Sequence, residues 1–431
     1  MQLVSLEQLA KRGIEKRVFG HGFVYRYPES KDLPELNSEE LADSIEHNPP
    51  EKLALYFHTP FCSKACAFCH YYKEMLSSAG ILDKYAVALK RELAAYSKII
   101  GEDAKIQSVF FGGGTPTLLK AEALAEVLTA VKEFFSLDEK TEVSIESSPE
   151  TLNEEKLFSL REHGFNRLSV GIQDFDEKVL KIGNRAHNPE QAEKAIGLAR
   201  EAGFENINAD FIYGLPKQDI ESWGKTIERT LELGLDSITA SDLRVMKGTA
   251  FFSADRKLFP SVETMRKMYY LFVEKLSGKG YLQQFPYQFV RKGKEMRFLD
   301  NQWSNGEFVG IGVSSCSFVS SWDYNNAMPT HEYFHSIDEN EIGAATGKAL
   351  SKEELMVRFV ALGLKKSGLN RTENGVSLRD FREQFGVEIV KVFGPILSEL
   401  KQGGLVEEKN GFLGLGYNGL FFHDEIARKL F

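Results

Sequence analysis

Short apolar runs alternate with amphipathic segments through the central part of the chain. The clearest amphipathic segment is one in which Leu82, Tyr85, Leu89 and Leu93 recur near helical spacing. The apolar runs between such segments have the length of strands. The predicted strands are Leu53–His58, Gln107–Phe111, Thr141–Glu146, Arg167–Ile172, Asn206–Tyr213 and Ser237–Leu243, and the predicted helices between them are Ala79–Ser97, Ala121–Phe135, Asn153–His163, Pro189–Ala202 and Ile220–Leu233.

Regular alternation of strands and helices predicts a parallel sheet with right-handed crossovers. Six strand–helix units occupy this part of the chain, whereas a closed barrel of eight units needs roughly 250 residues. The sequence therefore predicts an α/β fold built on an open, partial (β/α)6 barrel of the TIM type. Functional residues are expected at the C-terminal ends of its strands.

The C-terminal part has a different pattern and predicts a separate module. Helices are expected at Leu350–Gly363, Leu378–Phe385 and Ile389–Gln402, followed by two short strands near residues 405–408 and 412–415. Helices followed by a small hairpin are typical of a winged-helix shape, which often binds DNA. The acidic charge of the chain favours a lid or packing module instead.

Composition narrows the function classes further. The chain has 431 residues and a net charge of −9 without a long basic run, which argues against a nucleic-acid partner. No apolar stretch reaches the length of a membrane span, and the N-terminus does not resemble a signal peptide. Four cysteines without a plausible disulfide framework indicate a reducing compartment, so we expect a cytoplasmic protein.

Three of these cysteines form a C-x3-C-x2-C motif at Cys62, Cys66 and Cys69, while Cys316 is far away in the sequence. A 4Fe–4S cluster normally takes four thiolates. Three thiolates on one loop would leave one iron open for a substrate or cofactor. The alternatives are three small buried turn residues, or a single-metal loop completed by His58 or His70.

The residues around this motif resemble a known family. The run from Tyr56 to Cys62 (YFHTPFC), followed by Cys66-Ala67-Phe68-Cys69, is similar to the radical S-adenosylmethionine (SAM) superfamily. Within it, the chain resembles oxygen-independent coproporphyrinogen III oxidases and related heme chaperones, anaerobic heme-degrading enzymes and class C methyltransferases. The resemblance extends from about residue 51 to 326 and returns more weakly at the C-terminus.

The resemblance implies a 4Fe–4S cluster whose open iron binds SAM, and an electron that splits SAM to give a 5′-deoxyadenosyl radical. It also implies an electron donor such as flavodoxin or ferredoxin and a flat tetrapyrrole or aromatic substrate. It divides the chain into an N-terminal extension (1–50), a radical SAM core (51–300), a connecting segment that lines the substrate cavity (301–345) and the C-terminal winged-helix-like domain (346–431).

The resemblance also assigns roles to individual residues. Tyr56 and His58 would be catalytic, with the Tyr56 ring and hydroxyl beside the cluster. Phe68 would offer an apolar face to the adenine. The run Gly113-Gly114-Thr115 follows the second strand, and glycine lets the backbone approach SAM closely.

Four further residues lie in or directly after strands three to five. Glu146 would bind SAM, with a helix-start carboxylate as the alternative. Gln173 and Asp210 would bind the ribose hydroxyls, unless Asp210 only caps its strand. Arg185 would face the methionine carboxylate, unless it forms a surface ion pair.

A second SAM is a further expectation of the resemblance. It would lie near Gly114, Thr115 and Ile212, against the segment Ile311–Cys316. Cys316 itself is expected to be a small packed residue, with a reactive thiol or substrate contact as the alternative.

Two departures from the family leave the reaction open. His70 stands where the oxidases carry a fourth cysteine, and Phe298-Leu299-Asp300-Asn301 stands where the chaperones have a His-Asn pair before a tryptophan. An enzyme of the oxidase or methyltransferase type and a heme chaperone without SAM turnover therefore both remain as hypotheses.

Overall fold

A computed structural model describes residues 3–76, 79–101, 103–369 and 371–431. Its centre is a set of six parallel strands that neighbour one another in chain order. The predicted strands are confirmed, with ends that move by five residues at most, as in β3. These strands are β1 (Lys52–Thr59), β2 (Lys105–Gly113), β3 (Ser136–Ser147), β4 (Arg167–Gln173), β5 (Ile207–Tyr213) and β6 (Ser237–Asp242).

The sheet continues beyond these six strands on both sides. An antiparallel hairpin follows β6, formed by β7 (Leu282–Phe285) and β8 (Gln288–Val290). On the other side, β9 (Phe308–Ile311) pairs with β1 in parallel. Beyond β9 lie β10 (Cys316–Val319), β11 (Trp322–Asn326) and β12 (Ala344–Ala349). In the described residues the strand order is β12-β11-β10-β9-β1-β2-β3-β4-β5-β6-β8-β7, which leaves β12 and β7 at separate edges of an open, partial barrel.

The segment expected to be a connection is part of this sheet. After β9 the chain forms β10 (Cys316–Val319), β11 (Trp322–Asn326) and β12 (Ala344–Ala349), each antiparallel to the strand before it. Residues 301–345 are therefore mostly regular structure and widen the barrel wall next to β1.

Helices cover the outside of the sheet with their apolar faces. Ile220–Glu232 is typical, because it begins at a capping box made by Asp219 and Ser222 and buries Trp223 and Ile227. None of the described helices is long and apolar enough to cross a membrane. The helices are Leu6–Ala10, Ser38–His47, Ala79–Ile100, Ala121–Phe134, Glu154–His163, Glu177–Ile182, Pro189–Glu201, Ile220–Glu232, Val262–Ser277, Arg297–Trp303, Thr330–Asn340, Lys352–Gly363, Leu378–Phe385, Ile389–Gln402 and His423–Arg428.

The C-terminal module has the expected winged-helix-like arrangement. Three of its helices precede the hairpin of Val406–Lys409 and Phe412–Leu415, and Phe412–Leu415 also pairs with Val376–Ser377 to complete a small antiparallel sheet. The last helix, His423–Arg428, returns to the barrel, where His423 lines a cavity in the barrel interior. The module thereby closes one side of that cavity.

Candidate active site

The cysteine loop begins directly after β1. Phe61–Cys62 pairs in parallel with Glu74–Met75, which joins the two ends of the loop. Cys62 is buried, and Cys66 and Cys69 are half-buried. Between them, the Ala67 amide donates to the Gly183 carbonyl at 3.0 Å, and the Ala67 carbonyl accepts from the Phe251 amide at 3.1 Å. Backbone hydrogen bonds on both sides therefore fix the middle of the loop.

The glycine run after β2 lies against this loop. The Gly114 amide donates to the Thr59 carbonyl at 2.6 Å. A Cβ atom on Gly114 would come within 2.6 Å of the Phe61 carbonyl oxygen and 2.8 Å of the Cys62 Sγ. A Cβ atom on Gly113 would come within 2.6 Å of the Thr59 oxygen. Only glycine permits this approach to the cysteine loop, and the Thr115 hydroxyl then lies 4.0 Å from the Cys62 sulfur.

Arg185 connects the cysteine loop with two other strand ends. Its Nη1 donates to the Cys66 Sγ at 3.0 Å. Its Nη2 donates to the Gly171 carbonyl at 2.6 Å and to the Ser148 hydroxyl at 3.0 Å. Its buried Nε has no hydrogen-bond partner in the described part of the chain. These contacts place the guanidinium beside a cysteine sulfur and differ from the expected alternative of a surface ion pair.

Two carboxylates face the interior of the barrel. Glu146 accepts from the Gly113 amide at 2.9 Å. Burial and the nearby charge of Asp210 raise the pKa of Glu146 to about 8. Asp210 accepts from the Ser169 hydroxyl at 2.6 Å and from the Asn208 side chain at 2.9 Å, while burial raises the pKa of Asp210. Both side chains are therefore oriented by neighbouring strands and differ from the expected capping alternatives.

The other residues expected to bind SAM are arranged around these groups. Gln173 ends β4 with a positive φ of 72°, which is rare for a residue other than glycine. Its Nε2 would lie 2.9 Å from a Cβ atom on Gly171, so the side chain folds back over the strand end. The Phe68 ring lies 6.5 Å from the Phe251 ring. Ile212 is half-buried near the end of β5, two residues beyond Asp210 and therefore on the same face of the strand.

Tyr56 and His58 point to the same face of β1 and contact each other. The Tyr56 hydroxyl and the His58 Nδ1 are 2.9 Å apart. Burial lowers the pKa of His58 to about 4, so the ring is neutral at pH 7. Its Nε2 is buried without a hydrogen-bond partner among the described residues. The pair therefore offers one free ring nitrogen next to the cysteine loop.

Comparisons with known proteins agree with this geometry. A profile of the radical SAM superfamily matches residues 56–230, and a profile of the HemN C-terminal domain matches residues 350–422. The chain is 30% identical to the heme chaperone HemW of Lactococcus lactis subsp. lactis (strain IL1403), over 80% of this chain and 88% of HemW. The chain belongs to the radical SAM superfamily. Its family includes HemW and oxygen-independent coproporphyrinogen III oxidase, so the resemblance noted from the cysteine motif is confirmed.

One further relative and one solved structure are similar to most or all of the chain. Oxygen-independent coproporphyrinogen III oxidase of Escherichia coli (strain K12) is 28% identical, over 78% of this chain and 77% of that enzyme. The solved structure of coproporphyrinogen III oxidase (HemN) from Escherichia coli superimposes with a TM-score of 0.84 at 24% identity and covers 100% of this chain and 99% of that chain. The fold, including the partial barrel, is therefore that of the radical SAM core and C-terminal domain of HemN.

Members of the radical SAM superfamily use a 4Fe–4S cluster and SAM, and the cysteine loop fits such a cluster. No three His, Cys, Asp or Glu side chains among the described residues converge on one point as a single metal ion requires. Burial raises the pKa of the Cys62 thiol to about 11, so binding of iron must displace a proton from this sulfur.

A cavity of about 270 Å³ lies in the barrel interior beside the two carboxylates. All four segments into which the chain was divided contribute to its wall. Phe23, Val24 and Tyr25 come from the N-terminal extension, and Lys365 and His423 come from the C-terminal module. The remaining wall includes Tyr71, Phe110, Glu146, Arg167, Ser169, Asn208, Asp210, Thr239, Ser241, Asp242, Tyr287, Gln288, Met296, Leu299 and Trp303.

Several of these wall residues were missed by sequence reasoning. Arg167, Ser169 and Asn208 are polar residues in buried strands, at alternate positions that point to one face. Polar residues at such spacing within β4 and β5 are a usable signal for a polar barrel interior. Cys316 lies in β10, half-buried, against the apolar cluster that includes Phe298 and Phe318, away from the cysteine loop.

Proposed function

We propose that the protein is a radical SAM enzyme that reductively cleaves SAM and modifies a flat, conjugated substrate of the tetrapyrrole type. The observation that carries the proposal is the position of Arg185, whose guanidinium lies 3.0 Å from the Cys66 sulfur while its buried Nε is free. A cation held beside the cysteine loop in this way is suited to a carboxylate ligand.

Separate groups of residues would bind the cluster and SAM. When bound, a reduced 4Fe–4S cluster supplies the electron that splits SAM. Cys62, Cys66 and Cys69 would hold this cluster. Arg185 would pair with the methionine carboxylate. The Gly113-Gly114 backbone lies against the cysteine loop, where a Cβ atom would clash with Thr59 and Phe61, and would face SAM from there.

The two carboxylates would bind the rest of SAM. Asp210 is oriented by Ser169 and Asn208 and is suited to accept from ribose hydroxyls, together with Gln173. Glu146 lies over the glycine run, where it is suited to the amino group. Phe68 and Ile212 would pack against the adenine side of the site, and Gly114, Thr115 and Ile212 would also border a second SAM.

The cavity supports the proposed substrate class. Its wall carries the aromatic rings of Phe23, Tyr25, Tyr71, Tyr287 and Trp303. Aromatic side chains pack well against a flat conjugated ring. Tyr56 and His58 are proposed to act at this side of the cluster, where the neutral imidazole can accept or donate one proton through Nε2.

A heme chaperone is the second candidate function. It is favoured by the 30% identity to the HemW of Lactococcus lactis and by 28% identity to the HemW of Bacillus subtilis (strain 168), which covers 97% of that protein. In this function the protein would bind heme and transfer it without turnover of SAM.

Anaerobic reconstitution with iron and sulfide separates the two functions. With dithionite and SAM, the enzyme should release 5′-deoxyadenosine, and the release should accelerate with the true tetrapyrrole substrate. S-adenosylhomocysteine in addition would identify a methyltransferase with a second SAM. Stoichiometric heme binding without any 5′-deoxyadenosine would contradict the enzyme and support the chaperone.

The cysteines provide matched controls for this experiment. Cys62→Ala, Cys66→Ala and Cys69→Ala should each lose the iron, because a site with three thiolates has no spare ligand. Cys316→Ala should retain it, since Cys316 lies in β10 and away from the loop. Iron content and the visible spectrum measure the difference without reliance on activity.

A further inference from the structure

His423 forms part of the wall of the barrel cavity, although it belongs to the C-terminal module. It begins the last helix, His423–Arg428, and is 5% exposed. It is the only histidine in the wall that the described residues form. The match to the HemN C-terminal profile ends at residue 422, so this position lies outside the part of the module that the profile covers.

Asp424 fixes the tautomer of the His423 imidazole. The Nδ1 atom of His423 lies 3.2 Å from the Asp424 Oδ1. This contact is electrostatic, because Nδ1 has no well-aligned hydrogen-bond partner among the described residues. The carboxylate is itself held in place by the Val24 amide at 3.1 Å and by the Lys365 Nζ at 2.5 Å. A proton on Nδ1 therefore faces a fixed negative charge, and the lone pair of the ring is left on Nε2.

The imidazole of His423 is in the form that binds metals. Burial lowers the pKa of His423 below its ordinary value of 6.5, so the ring is neutral at pH 7. Neutral imidazole is the commonest metal ligand in proteins. Such a ligand usually directs its second ring nitrogen to a carboxylate or another acceptor, which orients the ring. The His423–Asp424 pair has this arrangement.

The surroundings of His423 fit a metal that is carried by a flat ring. The Tyr287 ring lies 5.7 Å from the His423 ring, and the Tyr287 hydroxyl accepts from the Trp303 Nε1 at 3.0 Å. Tyr25 and Tyr71 also line the cavity and are 38% and 48% exposed, so the cavity continues to solvent past their rings. A free metal ion would need several ligands, whereas the iron of a tetrapyrrole needs only one or two axial ones.

The other candidate ligands in the wall are less suited to iron. Heme iron in proteins takes histidine, cysteine thiolate, methionine or tyrosine. Burial raises the pKa of Tyr25, Tyr71 and Tyr287, which disfavours the phenolate that would bind iron. The Met296 sulfur already accepts a side-chain hydrogen bond at 3.8 Å. His423 is therefore the best axial ligand that the wall offers.

We propose that His423 is the axial ligand of an iron tetrapyrrole bound in the cavity, with Asp424 as the group that orients its ring. The bond forms from the Nε2 lone pair into an axial position of the iron, and Nδ1 keeps its proton. The ligand would thus come from the C-terminal module, in a chain where Phe298-Leu299-Asp300-Asn301 replaces the His-Asn pair of the chaperones. The inference rests on the proposed function, because that function places a tetrapyrrole in the cavity.

Two probes that differ only in the metal test this inference. They are hemin, which is iron(III) protoporphyrin, and metal-free protoporphyrin. The full chain is reconstituted with its cluster, so that Cys62, Cys66 and Cys69 are not free to bind hemin, and is titrated anaerobically with each probe. The variants are His423→Ala and His423→Gln. The control is His335→Ala, which changes an exposed histidine on the helix Thr330–Asn340.

We expect both His423 variants to bind hemin at least about tenfold more weakly than the unmodified chain, since even an outer partner of a metal ligand contributes about 10–100-fold. Their affinity for metal-free protoporphyrin should be unchanged, because no bond to Nε2 is lost. Free imidazole should restore the histidine-type absorption and EPR spectra of hemin in His423→Ala, where it fills the space of the missing ring. The control should match the unmodified chain with both probes.

The metal-free probe separates ligation from a structural role. If both His423 variants lose equal affinity for the two probes, or lose none for hemin, the inference is overturned, while the tetrapyrrole class of the proposed function stands. If the unmodified chain binds neither probe, that substrate class fails and the inference fails with it. His423→Gln retains a polar side chain of similar size, so it decides the outcome if His423→Ala does not fold.

Discussion

Arg185 contacts groups that come from three different strand ends. Cys66 follows β1, Ser148 follows β3 and Gly171 belongs to β4. The planar guanidinium can satisfy all three at once because its donors diverge in a fixed fork. Ser148 is in turn bonded to Glu150 at 2.5 Å, and burial of Glu150 is outweighed by hydrogen bonds from His187 and Ser148, which lower its pKa to about 2.

Arg185→Lys tests whether this fork is needed. Lysine keeps the charge but cannot form the paired hydrogen bonds, so SAM affinity should fall by about tenfold to a hundredfold, which corresponds to roughly 1.5–3 kcal/mol. Calorimetry on the reconstituted protein measures the affinity, and iron content should be unchanged. Arg229→Lys, in a surface pair with Glu193, is the control. Equal affinities in the two variants would mean that Arg185 is only structural.

Glu146 gives a prediction about pH. Its pKa is about 8 in the fold, above the ordinary value of 4.5, because burial and Asp210 disfavour its charge. The stability that protonated Glu146 contributes is full below pH 4.5 and is lost as the pH rises through 8. In the iron-free protein, Glu146→Gln should therefore gain stability relative to the unmodified chain by about 1–2 kcal/mol between pH 6 and 8.5.

Urea unfolding at several pH values measures this difference. Glutamine still accepts from the Gly113 amide, so the local structure is retained. Glu139→Gln changes an exposed carboxylate on the same strand and is the control. A pH-independent difference between Glu146→Gln and the unmodified chain would show that Glu146 is already ionised at pH 6.

At the scale of elements, β1 and β2 bring their loops into direct contact. The two strands pair in parallel up to Thr59 and Gly113, so the cysteine loop and the glycine run leave the sheet at the same level. The glycine backbone then lies against Phe61 and Cys62. The site thus depends on the register of two neighbouring strands as well as on side chains.

Gly114→Ala should disturb this contact. The added Cβ atom would lie 2.6 Å from the backbone oxygen of Phe61, which cannot move aside easily. We expect a loss of about 1–3 kcal/mol of stability and reduced iron content. Gly197→Ala is the matched control, because its Cβ atom meets nothing within 4 Å and it lies inside a helix. That variant should gain about 0.5–1 kcal/mol. Full iron content in Gly114→Ala would contradict the predicted contact.

The sequence predicted the six βα units because each strand and helix carries its own local pattern. It did not predict the hairpin of β10 and β11. The two residues between these strands are Ser320 and Ser321, with positive φ values of 50° and 65°. A two-residue turn of this kind is usually recognised by Asn-Gly or a similar pair. Without glycine or asparagine there, the segment looks like an ordinary connection.

For the candidate site, the sequence predicted the residues on loops better than those on strands. The cysteine motif and the glycine run have fixed spacing and could be found directly. The contact between Arg185 and Cys66 joins residues 119 positions apart, and only the order of the strands brings them together. The share of the cavity wall that comes from Val24 and Lys365 depends on how both ends of the chain pack, which has no local signal.

At the scale of the whole molecule, both ends of the chain are joined to the barrel through a buried ionic network. Asp424 accepts from the Val24 amide at 3.1 Å and pairs with Lys365 at 2.5 Å. Arg244, just beyond β6, pairs with Asp242 at 2.6 Å and with Glu425 at 2.8 Å. The buried members of the network are Lys16, Arg244, Lys365, Asp242, Asp424 and Glu425, three bases and three acids.

Asp424→Asn tests whether this network holds both ends of the chain against the barrel. The variant leaves Lys365 and Arg244 buried with one counter-charge fewer, which should cost about 3–5 kcal/mol of unfolding free energy. Because Asp424 also holds Val24, residues preceding β1 should become sensitive to limited proteolysis before the barrel does. Glu221→Gln is the control, since the exposed Glu221–Lys225 pair is screened by water and contributes little to stability. Urea unfolding measures both variants. Equal losses in the two would mean that the buried network adds nothing beyond an exposed pair, and that the ends of the chain are joined to the barrel by apolar packing alone.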